Sequence, residues 1–140
     1  MLTKTLYSTA ASASGGRDGR VRTADGSLNV WLDMPLELGG RGHGNNPEQL
    51  FAAGYSACFL SAMKSVAGSL DMKVPAETTV TATVGIGPLA TKGFGLSIAL
   101  SVDLPGLERA AAQRLIEAAH EVCPYSNAVR GNIDVALTLA

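Results

Sequence analysis

The chain has 140 residues, 46% hydrophobic and 16% charged, with a net charge of −1. That length suits a single domain spanning 1–140, able to bury roughly two-thirds of its unfolded surface, and the absence of a basic block argues against a nucleic-acid surface. So few charges leave a small monomer with more surface than polar groups to cover it, which points to a subunit interface.

The N-terminus, Met1-Leu2-Thr3-Lys4-Thr5-Leu6-Tyr7, lacks the apolar core of a signal peptide. Residues 2–13 alternate roughly as a strand, and Gly15-Gly16-Arg17-Asp18-Gly19 makes a turn. Short strands follow at 21–24 and 28–32, separated by the Asp25-Gly26 turn signal. Residues 35–46, with Gly39-Gly40-Arg41-Gly42-His43-Gly44 inside them, form an irregular loop. Asn46-Pro47-Glu48-Gln49 then opens a helix: Asn46 caps, Pro47 suits the first position, Glu48 complements the dipole, and Gln49 completes a capping-box variant. It should run to about Ala67, and its girth is apolar and small enough for a central, tightly packed position. Its longest uncharged stretch, 49–63, is too short to span a bilayer.

Strands are expected at 78–86 and 93–104, an amphipathic helix at 107–123 with Leu107, Ala111, Leu115, Ala118 and Val122 on its apolar side, and a last strand at 133–139. Strand clusters separated by two helices indicate an α+β domain on antiparallel sheet.

The two cysteines have different settings. Cys58 sits in the charge-free part of the first long helix, and Cys123 closes the second just before Pro124. Only a thiolate attacks, and burial in so apolar a run raises the pKa of Cys58, which is also too far along its helix to feel the dipole. A cation must therefore come from elsewhere, and Arg17, on a glycine turn able to aim it inward, is the candidate. Glu48 would grip that guanidinium in bidentate fashion, unless it merely complements the dipole. Ten residues of helix place Glu48 about 15 Å from Cys58, so the two can meet only through a long intermediary or a break near Gly54. Cys123, at a helix C-terminus, is opposed by the dipole; if one cysteine attacks and the other resolves, Cys58 attacks.

Three stretches then resemble a known family. Gly15-Gly16-Arg17-Asp18-Gly19-Arg20, the run Asn46 through Phe59, and Val122-Cys123-Pro124-Tyr125-Ser126-Asn127-Ala128-Val129-Arg130-Gly131-Asn132-Ile133 resemble the organic hydroperoxide resistance proteins, a branch of the superfamily that includes the osmotically inducible protein C group. The resemblance implies the OsmC-like fold and an intertwined homodimer whose active sites draw on both subunits. It implies a peroxidase in which Cys58 attacks an organic hydroperoxide, Cys123 forms the disulfide, Arg17 and Glu48 activate, and dihydrolipoamide or a lipoylated protein is the reductant. No cofactor, metal or membrane is expected, and a leaderless two-cysteine chain is expected in the cytoplasm. Arg41 and His43 depart from the small residues expected at their loop.

Other readings stay open. His120 and Cys123, spaced i, i+3, could join His43 and Cys58 around zinc. Cys123-Pro124-Tyr125-Ser126 resembles a thioredoxin-like motif, although that motif opens a helix and this one closes one. The same thiols could serve a redox sensor without turnover, or an enzyme of the osmotically inducible group with another peroxide preference.

Overall fold

Glycine at positions 15, 16 and 19 shapes the first ordered feature of the chain. In the computed structural model, which describes residues 1–140, Gly15 and Gly16 have φ of 72° and 62°, and a Cβ on Gly19 would lie 1.7 Å from the Ser14 carbonyl oxygen. Only residues without a side chain tolerate that path. It forms a 3-10 turn, Gly16–Asp18, between strands β1 (Ala11–Ser14) and β2 (Arg20–Thr23). With β3 (Asn29–Trp31) these make an antiparallel sheet in the order β1-β2-β3. The β2–β3 turn is organised by Asp25, whose carboxylate accepts from Thr23 Oγ1 at 2.7 Å and from the Ser27 amide at 3.0 Å. These donors hold its pKa at about 2. Regular strand structure begins only at Ala11, so the expected strand over 2–13 is realised at its end alone. The loop before the helix is tied by Asp33, a buried carboxylate that accepts the His43 amide at 3.1 Å and lies 3.6 Å from Arg41. The Arg41 guanidinium and the His43 backbone amide thus both meet Asp33 within the loop.

These residues belong to one compact unit, Met1–Pro47, and Glu48–Ala140 form the other. In the second unit, α1 (Pro47–Ala67) runs unbroken for 21 residues, close to the bounds its sequence signals give. It buries one stripe, Tyr55, Phe59, Ala62, Met63 and Ala67. Each large side chain in that stripe contributes about 1.5–3 kcal/mol by burial. The opposite face, with Ala53, Ala57 and Ser61, is exposed in the single chain, so the expected all-round packing is half met. Helical structure from Pro47 through Leu70 has the length and hydropathy of a membrane span, but the buried stripe shows a core helix.

Strands β4 (Thr79–Pro88) and β5 (Phe94–Asp103) pair antiparallel from Thr79↔Asp103 to Pro88↔Phe94. β5 leads into α2 (Arg109–Val122), capped by the Glu108 carboxylate accepting from the amides of Ala110 and Ala111. Those donors lower the Glu108 pKa, so its contribution to stability is present at neutral pH and lost as acid protonates it. The buried face of α2 is Ala112, Leu115, Ile116 and Ala119. The expected seam is rotated by about a residue, and Val122 is 46% exposed. After α2 come a short helix, α3 (Pro124–Val129), and β6 (Val135–Leu139), which pairs parallel with β5. The helical crossover makes a parallel partner possible, so the sheet is mixed where all-antiparallel pairing was expected.

Candidate active site

Pro124 decides the geometry around the second cysteine. It disfavours the helical region for the residue before it and suits the first position of the helix after it. Cys123 accordingly has φ −63° and ψ 124°, and it is both the last cap of α2 and the first cap of α3. The expectation that Cys-Pro-Tyr-Ser only closes a helix is therefore corrected: it closes one and opens another. The dipole of α2 opposes a thiolate at Cys123, while the amides at the start of α3 favour one nearby.

The corner brings the two cysteines together. Cys123 is fully buried, Cys58 is half-buried on α1, and their sulfurs are 3.7 Å apart with both thiols free. A disulfide requires about 2.05 Å, so once an oxidant has taken two electrons and two protons a closure of less than 2 Å forms the bond. Burial pushes the Cys58 thiol up, the Tyr125 backbone N–H donating to its sulfur pulls it back, and the neighbouring sulfur resists a second negative charge.

Behind the sulfurs lies a polar chain. Ser126, fully buried, has its Oγ 2.7 Å from the Tyr55 hydroxyl and 2.8 Å from His120 Nδ1. Burial, then the Arg130 charge, lowers the His120 pKa, which favours the neutral ring. Burial raises that of Tyr55. Arg130 donates to the His120 carbonyl at 2.6 Å and to the Asn127 side chain. His120 and Cys123 thus face different partners, Ser126 and Cys58, and do not converge as a ligand pair would.

An aromatic wall completes the surroundings. Tyr125 stacks on Tyr55 with centroids 5.5 Å apart, and Phe51 meets both edge-on. A Cβ on Gly54 would lie 2.5 Å from the Tyr125 hydroxyl, so this glycine provides the seat for Tyr125 and breaks no helix. Of the apolar residues near Cys58 in sequence, Phe59 and Met63 are fully buried in the core, whereas Phe51 and Leu60 remain half-buried. Arg17 lies half-buried in the 3-10 turn of the first unit, and Glu48 half-buried in the first turn of α1. Tyr55, Tyr125 and Ser126 carry no sequence signal of a role beyond their spacing from the cysteines.

Fold and dithiol together define an OsmC-like protein: the family model of that description matches residues 40–138. A Xanthomonas axonopodis pv. citri organic hydroperoxide resistance protein is 53% identical over 138 residues, 98% of this chain and 96% of its own. Bacillus subtilis OhrB, of the same description, is 40% identical, covering 96% and 98%. A solved Legionella pneumophila organic hydroperoxide resistance protein superposes with TM-score 0.92 at 50% identity, covering 98% and 99%. The chain belongs to the organic hydroperoxide resistance proteins of the OsmC-like family.

Proposed function

We propose that this chain is a thiol-dependent peroxidase that reduces organic hydroperoxides to alcohols. The observation that carries the reading is the pair of free thiols 3.7 Å apart, one half-buried and one fully buried. Relatives described by resistance to organic hydroperoxides support the substrate class. The Cys58 thiolate attacks one peroxide oxygen, the O–O bond breaks, and the alkoxide leaves as alcohol after taking a proton. Cys58 is then a sulfenic acid. Cys123 attacks it, the disulfide forms, and water leaves with the remaining oxygen. A dithiol, dihydrolipoamide or a lipoylated protein, returns two electrons and two protons.

Burial alone leaves Cys58 a poor thiolate, so activation needs a cation. Arg17 fills that role in this reading, lowering the thiol pKa and stabilising the charge on the departing alkoxide, with Glu48 orienting it. Arg17→Ala should slow peroxide reduction about ten- to a hundredfold, the effect of losing a charge-assisted contact worth roughly 1.5–3 kcal/mol. Arg20→Ala should do far less, because Arg20 donates to Asn29 at 2.7 Å and lies over Trp31. Equal losses in stopped-flow reduction of cumene hydroperoxide would remove Arg17 from this role.

Exposed Leu6, Tyr7, Trp31, Leu36 and Phe94, together with the bare face of α1, support a homodimer. Closely apposed free thiols suit a reducing compartment, the cytoplasm. The deciding experiment adds one equivalent of organic hydroperoxide to reduced protein and then a dithiol reductant. One alcohol and one Cys58–Cys123 disulfide should appear per peroxide, followed by turnover. A disulfide that no dithiol recycles would make the protein a sensor.

A further inference from the structure

The Ser126 hydroxyl occupies a position that simple satisfaction of a buried polar group does not require. It meets one side chain from α1 and one from α2, Tyr55 at 2.7 Å and His120 at 2.8 Å. Tyr55 stands three residues before Cys58 on α1, and His120 three residues before Cys123 on α2. Residues three apart on a helix share a side, so the helical neighbours of both cysteines converge on one oxygen. Ser126 itself is in the first turn of α3, next to Tyr125, whose ring stacks on Tyr55 of α1. Between α2 and α3 the backbone leaves helical geometry at Cys123, the point where α3 could swing. A hydroxyl has one proton and two acceptor sites, so it can hold both partners at once.

We propose that Ser126 is a positioning residue: by tying α3 to α1 through Tyr55 and to α2 through His120, it sets the separation of the Cys58 and Cys123 sulfurs and hence the ease with which they form a disulfide. The inference rests on the dithiol reading above and specifies what governs its second step. Without the tie, α3 pivots at Cys123, the sulfurs sample wider separations, and the disulfide loses the advantage of thiols already held together.

The test needs no peroxide. In buffers of reduced and oxidised dithiothreitol the two thiols pass two electrons and two protons to the oxidised reagent, and the equilibrium reads how well the protein holds the sulfurs. Ser126→Ala should weaken the disulfide about tenfold in that equilibrium, a shift of about 30 mV to higher potential. Tyr55→Phe removes one tie and keeps the ring, so it should shift the potential the same way by less, and it stands in if Ser126→Ala does not fold. His120→Asn leaves a polar atom where Nδ1 stands and should hold the potential near that of the parent chain. Variants that melt earlier yet poise the pair as the parent does would overturn the proposal and reduce the network to packing. With excess peroxide, Ser126→Ala should also raise the overoxidised fraction of Cys58 several-fold. A parent chain that forms the disulfide in dithiothreitol buffer but ignores peroxide would sink the peroxidase and leave this inference standing.

Discussion

Cys58→Ser is expected to abolish hydroperoxide reduction, and Cys123→Ser to leave one rapid turnover that ends in a sulfenic or overoxidised Cys58. The asymmetry follows from placement. Cys58 is half-buried, while Cys123 is sealed from solvent at the carbonyl end of α2. A peroxide reaching the pair meets Cys58 first, and the carbonyl end of α2 disfavours the alternative thiolate at Cys123. Loss of Cys123 removes the resolving thiol but not the nucleophile, so further peroxide drives Cys58 up the oxidation ladder. Intact-mass measurement after one and then ten equivalents separates the cases. Oxidation of Cys123 in the Cys58→Ser protein, at the parent rate, would reverse the two roles.

What the sequence disclosed, and what it withheld, follows from the range of the forces involved. α1 was legible because its start is written locally: Asn46, Pro47 and Glu48 are residue types that favour a helix's first turn by their own chemistry. The turn around Arg17 was legible because glycine is the only residue that tolerates its backbone. The cysteine pair was legible through motifs. Helix α3 was not, because six residues carry too little periodicity to register and Pro124 reads as a terminator when it is also an initiator. The parallel seat of β6 depends on which edge of β5 is free after the β4 hairpin forms, which no local pattern records. The Tyr55–Ser126–His120 chain joins residues up to 71 apart, and each looks ordinary on its own helix. The phase error on α2 has a similar source: Ala118 and Val122 are as apolar as Ala119 and Cys123, and only the sheet beneath decides which pair faces it.

An alkyl or fatty-acid hydroperoxide should outperform hydrogen peroxide by on the order of a hundredfold in kcat/KM, with about four buried CH₂ groups at about 0.8 kcal/mol each expressed in the transition state. The structure narrows which side chains can supply that burial. Phe59 and Met63, one and five residues after Cys58, spend their surface in the core and are closed to a substrate. Phe51, seven residues before Cys58 on the same side of α1, and Tyr125, 36% exposed, remain available on the side of the thiols. The preference should therefore respond to Phe51→Ala, which trims the aromatic wall, by falling about tenfold for cumene hydroperoxide while the hydrogen peroxide rate changes little. A peroxide without an apolar tail has nothing to lose from that truncation. Stopped-flow rates for both oxidants on the parent and the variant, under one dithiol reductant, give the four numbers required. Faster reduction of hydrogen peroxide than of cumene hydroperoxide by the parent would exclude the organic-peroxide assignment. A parallel fall for both oxidants in the variant would show that Phe51 supports the thiols through its contacts with Tyr55 and Tyr125 and contributes nothing to selection.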